Sequence, residues 1–278
     1  MSRLSLILIA IAACGSSGCK MMCGWMPQAS FCQPVCVLTP DATLGEVITH
    51  LNTNITQVDA WQSTELSIRA SKNGLPVLLS GNIAVAGPRN FRLSAGILGT
   101  TAVDIGSNDD QLWFSSQETE GKVLTVGHDD LSRVQHRLPI PFQPDWIISA
   151  LGVIAINENE YTMTRYGSNG SEIHLIAKGV TPTGDAVQRL IIVDGCRGVV
   201  MAHALYDAQG KLIAKASFSD HQVDATTGVV MPHRIRLEWP KQKMNLAMKM
   251  GTIEINPSIL PNWNIPQSQE VINLSHAR

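Results

Sequence analysis

The sequence predicts a mainly β protein with few helices, an α+β chain built on one broad antiparallel sheet. Three observations carry this. At least eleven segments alternate apolar with polar residues, only two show helical spacing, and turn sequences separate the strand-like runs at hairpin distance. The bulk composition agrees: 278 residues, 44% hydrophobic and 16% charged, describe a chain that folds, and chains near 300 residues bury about 75% of their surface.

The first residues read as a targeting segment. Met1 to Arg3 supplies one positive charge, Leu4 to Ala13 is an unbroken apolar run, and Ile11-Ala12-Ala13-Cys14 places small residues before a cysteine. The run is too short to span a bilayer, which takes about 20 residues. The tetrad resembles the bacterial lipobox, in which the cysteine thiol receives a diacylglycerol, the preceding peptide is removed and the new terminus is acylated, with chains such as palmitate. An ordinary secretory signal cut near Ala13 or Gly18 is the alternative, and Ser17-Gly18-Cys19 is a weaker second lipobox. This divides the chain into a signal peptide over 1–13, a Cys-rich tether over 14–40 and a single domain over 41–278. Stable anchoring takes more than one acyl chain. Gly15 follows the cysteine, and in lipobox proteins a residue other than Asp there resembles an outer-membrane address.

Within the tether, Cys19, Cys23, Cys32 and Cys36 are disulfide candidates with three possible connectivities, while Cys196 stands far away. Unpaired thiols and a zinc site are the alternatives. The C-x3-C spacing and the lack of a nearby histidine fit zinc poorly.

The domain opens with a helix. Over Thr43 to Val58, Leu44, Val47, Ile48, Leu51, Ile55 and Val58 recur at spacings of three and four, and Thr43 with Glu46 reads as a capping box. Strands follow near Leu66–Ala70, Val77–Ala86, Phe91–Ala95, Ala102–Ile105, Gln111–Ser116, Val123–Val126, Tyr161–Tyr166, Glu172–Lys178, Val187–Asp194, Val199–Asp207, Leu212–Ser217, Pro232–Trp239 and Met244–Ile255. Asp207-Ala208-Gln209-Gly210 and Ser107-Asn108-Asp109-Asp110 are turn sequences that make the pairing antiparallel. A second short helix fits Pro144 to Gly152, with Gly152 as its stop.

Charge and motifs exclude several function classes. Twenty-one basic against 23 acidic residues, with no Lys/Arg cluster, make nucleic acid an unfavourable partner, and 5% aromatic residues are too few for a stacking platform. No H-E-x-x-H, G-x-S-x-G, P-loop or G-x-G-x-x-G motif occurs. Gly127-His128-Asp129-Asp130 and Asp220-His221-Gln222-Val223-Asp224 set histidines beside carboxylates, yet both lie in turn-like sequence where Asp caps or bonds backbone. No enzyme activity, no cofactor and no metal are therefore expected.

Geometry then poses a choice. At least eleven strands at about 4.8 Å spacing make a sheet no narrower than about 50 Å, and two helices about 10 Å across cannot cover its apolar face. Such a sheet curls around its helices and keeps an apolar pocket, or splits into a sandwich with a solid core. The alternation fits both.

Motifs tip the balance. After the lipobox and first helix come Pro76-Val77-Leu78-Leu79-Ser80-Gly81, Pro88-Arg89-Asn90-Phe91-Arg92-Leu93 and Gly106-Ser107-Asn108-Asp109-Asp110-Gln111-Leu112-Trp113-Phe114. With these, the chain resembles the LolA/LolB family of lipoprotein-sorting proteins, most strongly over about 43–116. The resemblance implies a curved antiparallel sheet forming an incomplete β-barrel with a helical lid. It further implies a hydrophobic cavity for lipid or lipoprotein acyl chains and a place in the envelope, anchored by lipid at Cys14 and facing the periplasm from the outer membrane. It carries over Trp113 and Phe114 to the cavity wall. The apolar positions Trp146, Ile147, Leu151, Phe91 and Leu93 join them as candidate cavity residues, with plain core the favoured reading for Trp113, Phe114, Trp146 and Ile147. The receptor's exposed apolar insertion loop has no clear counterpart in the sequence. A structural envelope lipoprotein with a packed interior is the alternative function.

Overall fold

In a computed structural model, the described residues run from 36 to 276, apart from 135–136, 139–143, 182–183 and 267–269. Fifteen strands form one sheet: β1 (Ala60–Lys72), β2 (Leu75–Ala86), β3 (Asn90–Ile97), β4 (Thr100–Ser107), β5 (Gln111–Ser116), β6 (Val123–Gly127), β7 (Thr162–Tyr166), β8 (Glu172–Val180), β9 (Ala186–Asp194), β10 (Val199–Asp207), β11 (Leu212–Val223), β12 (Val230–Trp239), β13 (Met244–Met250), β14 (Glu254–Ile255) and β15 (Val271–Asn273). Three helices accompany them, α1 (Leu44–Ile55), α2 (Leu131–Val134) and α3 (Pro144–Ala150).

The sheet order is β15-β6-β5-β4-β3-β2-β1-β13-β12-β11-β10-β9-β8-β7, with β14 beside β1. Every pair is antiparallel except β15 with β6. The sheet is curved and open, since β15 and β7 end it without meeting. Of the two ways to bury so wide a sheet, this chain curls.

Helix α1 forms where its caps and spacing dictate. Thr43 accepts from the Glu46 backbone amide at 3.3 Å while the Glu46 carboxylate accepts from the Thr43 amide at 2.7 Å, so two orphan amides are satisfied. Its buried stripe of Val47, Ile48 and Leu51 lies on Ile173, Leu175, Ile191 and Val193 of β8 and β9. Each such side chain contributes about 1.5–3 kcal/mol by leaving water. Asn52 and Asn54 pin the helix laterally: Asn52 bonds the backbone of Ile156, and Asn54 that of Val230.

A second core lies beneath α3. Ile147, Ile148, Ala150 and Leu151 pack with inward residues of β1–β5 and β11–β13, including Phe91, Leu93, Phe114, Met248 and Met250. Trp61, fully buried, donates its indole N–H to the Leu151 carbonyl at 3.1 Å, satisfying an acceptor freed at the helix end. Gly152, at φ +79, lets the chain leave the helix through the left-handed region.

Two departures from the sequence reading have local causes. The run Met244–Ile255 is two strands, because a bulge between Ser63 and Leu66 shifts the register of β1. At that bulge Glu65 takes the Gly251 amide on its carbonyl and the Thr252 amide on its carboxylate, so β13 and β14 meet β1 on either side. The short parallel strand β15 was not expected.

Cys36, expected to pair within the Cys-rich segment, is instead bonded to Cys196 in the β9–β10 turn. Beside it the Val37 amide donates to the Cys196 carbonyl, and Leu38 is buried in the core under α1. Residues 36–38, assigned by composition to the tether, are therefore held on the domain. Cys14, Cys19, Cys23 and Cys32 lie outside the described residues.

Candidate functional site

Between the two cores the concave face is not filled. A first chamber of about 370 Å³ opens between α1, the end of α3 and strands β10–β12, walled by Leu51, Ile55, Trp61, Leu151, Val230 and Met231. A second, of about 600 Å³, lies between α2, α3 and β9–β10, walled by Leu131, Trp146, Val187, Leu190 and Leu205. Each volume falls in the range of about 300–1,000 Å³ typical of small-molecule sites.

The chambers exist because the helices are short. Helix α1 has 12 residues and α3 has seven, so at about 1.5 Å per residue they cover about 18 Å and 10 Å of a sheet several times wider. Each builds a core directly beneath itself, and strand β10 passes between the two.

The first chamber is largely apolar, whereas about half of the second's lining is polar. His203 on β10 lies opposite Ile191 of β9 and Ala216 of β11, on the concave side. It is 9% exposed, and its ring meets Phe218 edge-on at 5.9 Å. Burial, with a smaller contribution from the positive Arg189, pushes its pKa down to about 4, so the imidazole is neutral at neutral pH. No hydrogen bond holds either ring nitrogen among the described residues. His221, at the first chamber, bonds the Val200 carbonyl through Nε2 at 3.0 Å while its Nδ1 is buried without a partner. Burial lowers its pKa, and the Val200 bond opposes that. His50 bonds the Gly198 carbonyl at 3.1 Å on the same wall.

Arg89, His128, Asp129 and Arg189 rim the second chamber. Arg189 pairs with Glu160 at 2.7 Å and lies over the Tyr161 ring, whose hydroxyl pKa is raised by burial.

The residues singled out from sequence divide three ways. Leu151 and Trp146 line the chambers. Phe91, Leu93, Phe114 and Ile147 are packed in the core beneath α3 and line neither chamber. Trp113 requires a correction, because it points away from the hollow. On the outer face its indole N–H donates to Asp104 at 2.8 Å, and Asp104 pairs with Arg92 at 2.9 Å. Gly106 leaves room for the ring, since a Cβ there would come within 2.0 Å of it. Arg92 also donates to the Asn262 carbonyl and Asn108 to that of Trp263, so the C-terminal segment crosses this outer face and keeps Trp113 dry.

Neither histidine–carboxylate motif gathers its groups for catalysis: His128–Asp130 is a single 3-10 turn, and Asp220–Val223, read from sequence as turn-like, is the end of strand β11, with only Asp224 in the turn that follows. His128 bonds the Asn108 carbonyl at 2.7 Å, Asp130 pairs with Arg133, and Asp224 accepts from the amides of Thr226 and Thr227. Among the described residues no group of three or more His, Cys, Asp or Glu gathers as metal ligands.

An apolar fringe, missed in the sequence, marks one end of the sheet. Leu75 and Leu78 after the β1–β2 turn and Leu98 in the β3–β4 turn are 75%, 65% and fully exposed, and Arg69 sits opposite Leu78.

No family model and no curated protein sequence matches the chain. Solved structures do. A DUF1329 family protein from Desulfovibrio piger superposes with a TM-score of 0.52 at 13% identity, over 80% of this chain and 95% of that one. A domain described as an outer membrane lipoprotein-sorting protein, from Vibrio parahaemolyticus, gives 0.52 at 8% identity, over 78% and 95%. A LolA superfamily protein from Nitrosomonas europaea gives 0.50 at 14% identity, over 79% and 96%. The fold is LolA-like. At these identities the likeness concerns architecture: a LolA-like open sheet with helices on its concave side.

Proposed function

We propose that this protein is an envelope lipoprotein that holds lipid or lipoprotein acyl chains in the hollow of its half-barrel. The observation that carries the reading is the first chamber, whose walls are largely apolar, beside a second of mixed lining rimmed by Arg89, His128, Asp129 and Arg189. Hydrocarbon leaving water for such walls gains about 25 cal/mol per Å² of apolar surface. The LolA-like fold supports the same reading, since one of the similar structures is described as a lipoprotein-sorting protein domain.

The anchor is proposed from the sequence: Cys14 carries the lipid, and residues 15–35 join it to the domain at Cys36. The exposed Leu75, Leu78 and Leu98 fringe suits contact with a bilayer at the moment of lipid transfer. Mass spectrometry of the purified protein tests both parts together. The expected result is a mature terminus at Cys14 bearing acyl groups, with lipid in the organic extract of the native protein. An unmodified terminus removes the anchor. Absence of extracted lipid, together with no binding of a fluorescent fatty acid by the delipidated protein, removes the carrier reading.

A further inference from the structure

The outer face of the sheet carries a charge cluster that the hollow does not use. Ile68, Met248, Ile235 and Phe218 form one inward row across β1, β13, β12 and β11, all of it core. The residues between them therefore face the other way. There Arg69, Lys249, Arg234, Arg236 and Lys215 line an open groove of about 1150 Å³, set among the small residues Ser67, Ser80, Ala247 and Ser217.

The register crowds these cations together. Lys249 lies directly opposite Arg234, and Arg69 and Arg236 flank Ala247 on its two sides. Like charges directly opposite one another destabilise a strand pair. Neutralisation within the chain is slight: Arg234 reaches Asp220 at 3.4 Å and Arg236 reaches Glu238 at 3.8 Å, with both arginine side chains 59% exposed, and water and salt screen pairs of this kind. Arg69, Lys215 and Lys249 make no ion pair among the described residues. Five cations thus meet two carboxylates, on a chain whose formal charge is −2.

One end of the same groove is apolar. Leu78 lies opposite Arg69, Ile97 and Leu98 continue its wall, and all three are exposed. A soluble polyanion would match the cations and leave these side chains in water. The surface of an anionic bilayer matches both, with phosphates for the cations and an acyl boundary for the leucines.

We propose that this outer face docks on the surface of a bilayer rich in anionic lipid, its five cations meeting headgroup phosphates while Leu78, Ile97 and Leu98 enter the interface. The proposal rests on the bilayer contact read above for the apolar fringe and adds the lipid class that contact selects. It is independent of what the hollow holds.

The test uses the full chain carrying Cys14→Ser, so that no acyl anchor contributes, in co-sedimentation with vesicles. One set is dioleoylphosphatidylcholine alone and the other an equimolar mixture with dioleoylphosphatidylglycerol. Binding to the mixed vesicles should be tighter by about tenfold or more and should fall steeply with added salt. A cation near such a surface contributes about fivefold in affinity, so Lys249→Gln combined with Arg234→Gln should weaken mixed-vesicle binding about 25-fold. The same double variant should keep the circular dichroism of the parent and its binding of a fluorescent fatty acid. Equal affinity for the two vesicles, or mixed-vesicle binding unmoved by the double substitution, overturns the proposal; the fringe reading then stands if Leu98→Glu still lowers binding. Binding of soluble inorganic polyphosphate without preference for the anionic vesicles overturns it in favour of a soluble polyanion. Absence of binding to either vesicle overturns both the proposal and the fringe reading.

Discussion

His203 makes an acid response calculable. In the unfolded chain an imidazole takes a proton near pH 6.5, whereas in the fold burial holds it neutral until about pH 4. The folded pKa is depressed, so above pH 7 both states are neutral and the group contributes nothing to pH dependence. As pH falls through 6.5, the unfolded state gains a proton the folded state refuses, and stability declines until about pH 4, where the loss levels off. A gap of this size is worth about 3 kcal/mol in full, of which about 2.5 kcal/mol is lost by pH 4.5. Arg189, on the same face, adds to the penalty, while Arg89, His128 and Asp129 lie at the rim of the adjoining chamber. The assay is urea denaturation of wild type and His203→Phe at pH 7.5 and 4.5. Other groups titrate in both proteins, among them Asp194 and Asp224, whose lowered pKa values also drain stability on acidification. The quantity that isolates His203 is therefore the difference between the two proteins' losses, with wild type losing about 2.5 kcal/mol more. Equal losses would refute the account of a neutral, desolvated imidazole at the heart of the hollow.

Three further outcomes follow from individual contacts. Gly106→Ala should cost about 1–3 kcal/mol in chemical denaturation, because its methyl would meet the Trp113 ring at 2.0 Å and force an overpacked rearrangement on the outer face. Cys36→Ser opens a cross-link spanning 160 residues, which the chain-entropy account values at about 5 kcal/mol. A thermal melt should show a large fall in Tm, matched by wild type under reductant. Leu98→Glu, on a fully exposed turn, should leave the melting temperature within about 0.5 kcal/mol equivalent of wild type while reducing co-sedimentation of delipidated protein with vesicles.

Much of the fold could be read from the chain because local and global signals agree. Thr43, Glu46 and the stripe Val47, Ile48, Leu51 announce α1 by cap and period together. The alternating strands announce themselves by period two, as in Phe91, Leu93 and Ala95 with Arg92 and Ser94 between them. Where a strand is buried on both sides the signal fails. In Leu112-Trp113-Phe114 all three are buried, so alternation alone does not say which faces the hollow, and Trp113 turns out to face away. The Cys36–Cys196 bond spans a distance along the chain that no spacing rule reaches, and β15 is three residues long. The inward facing of His203 is hidden in the sequence for a related reason. A bulge between Val200 and Ala202 resets the facing of β10, so one polar residue in an apolar strand carries no mark of pointing inward.

The claim on which the account depends is that the space between the cores admits hydrocarbon. Titration of the delipidated protein with a fluorescent fatty acid, alongside Ile154→Trp, which places an indole on the first chamber's wall, measures this directly. The account predicts saturable binding by wild type, weakened at least tenfold by the tryptophan with the circular dichroism unchanged. No saturable binding by a folded, delipidated wild type would contradict it.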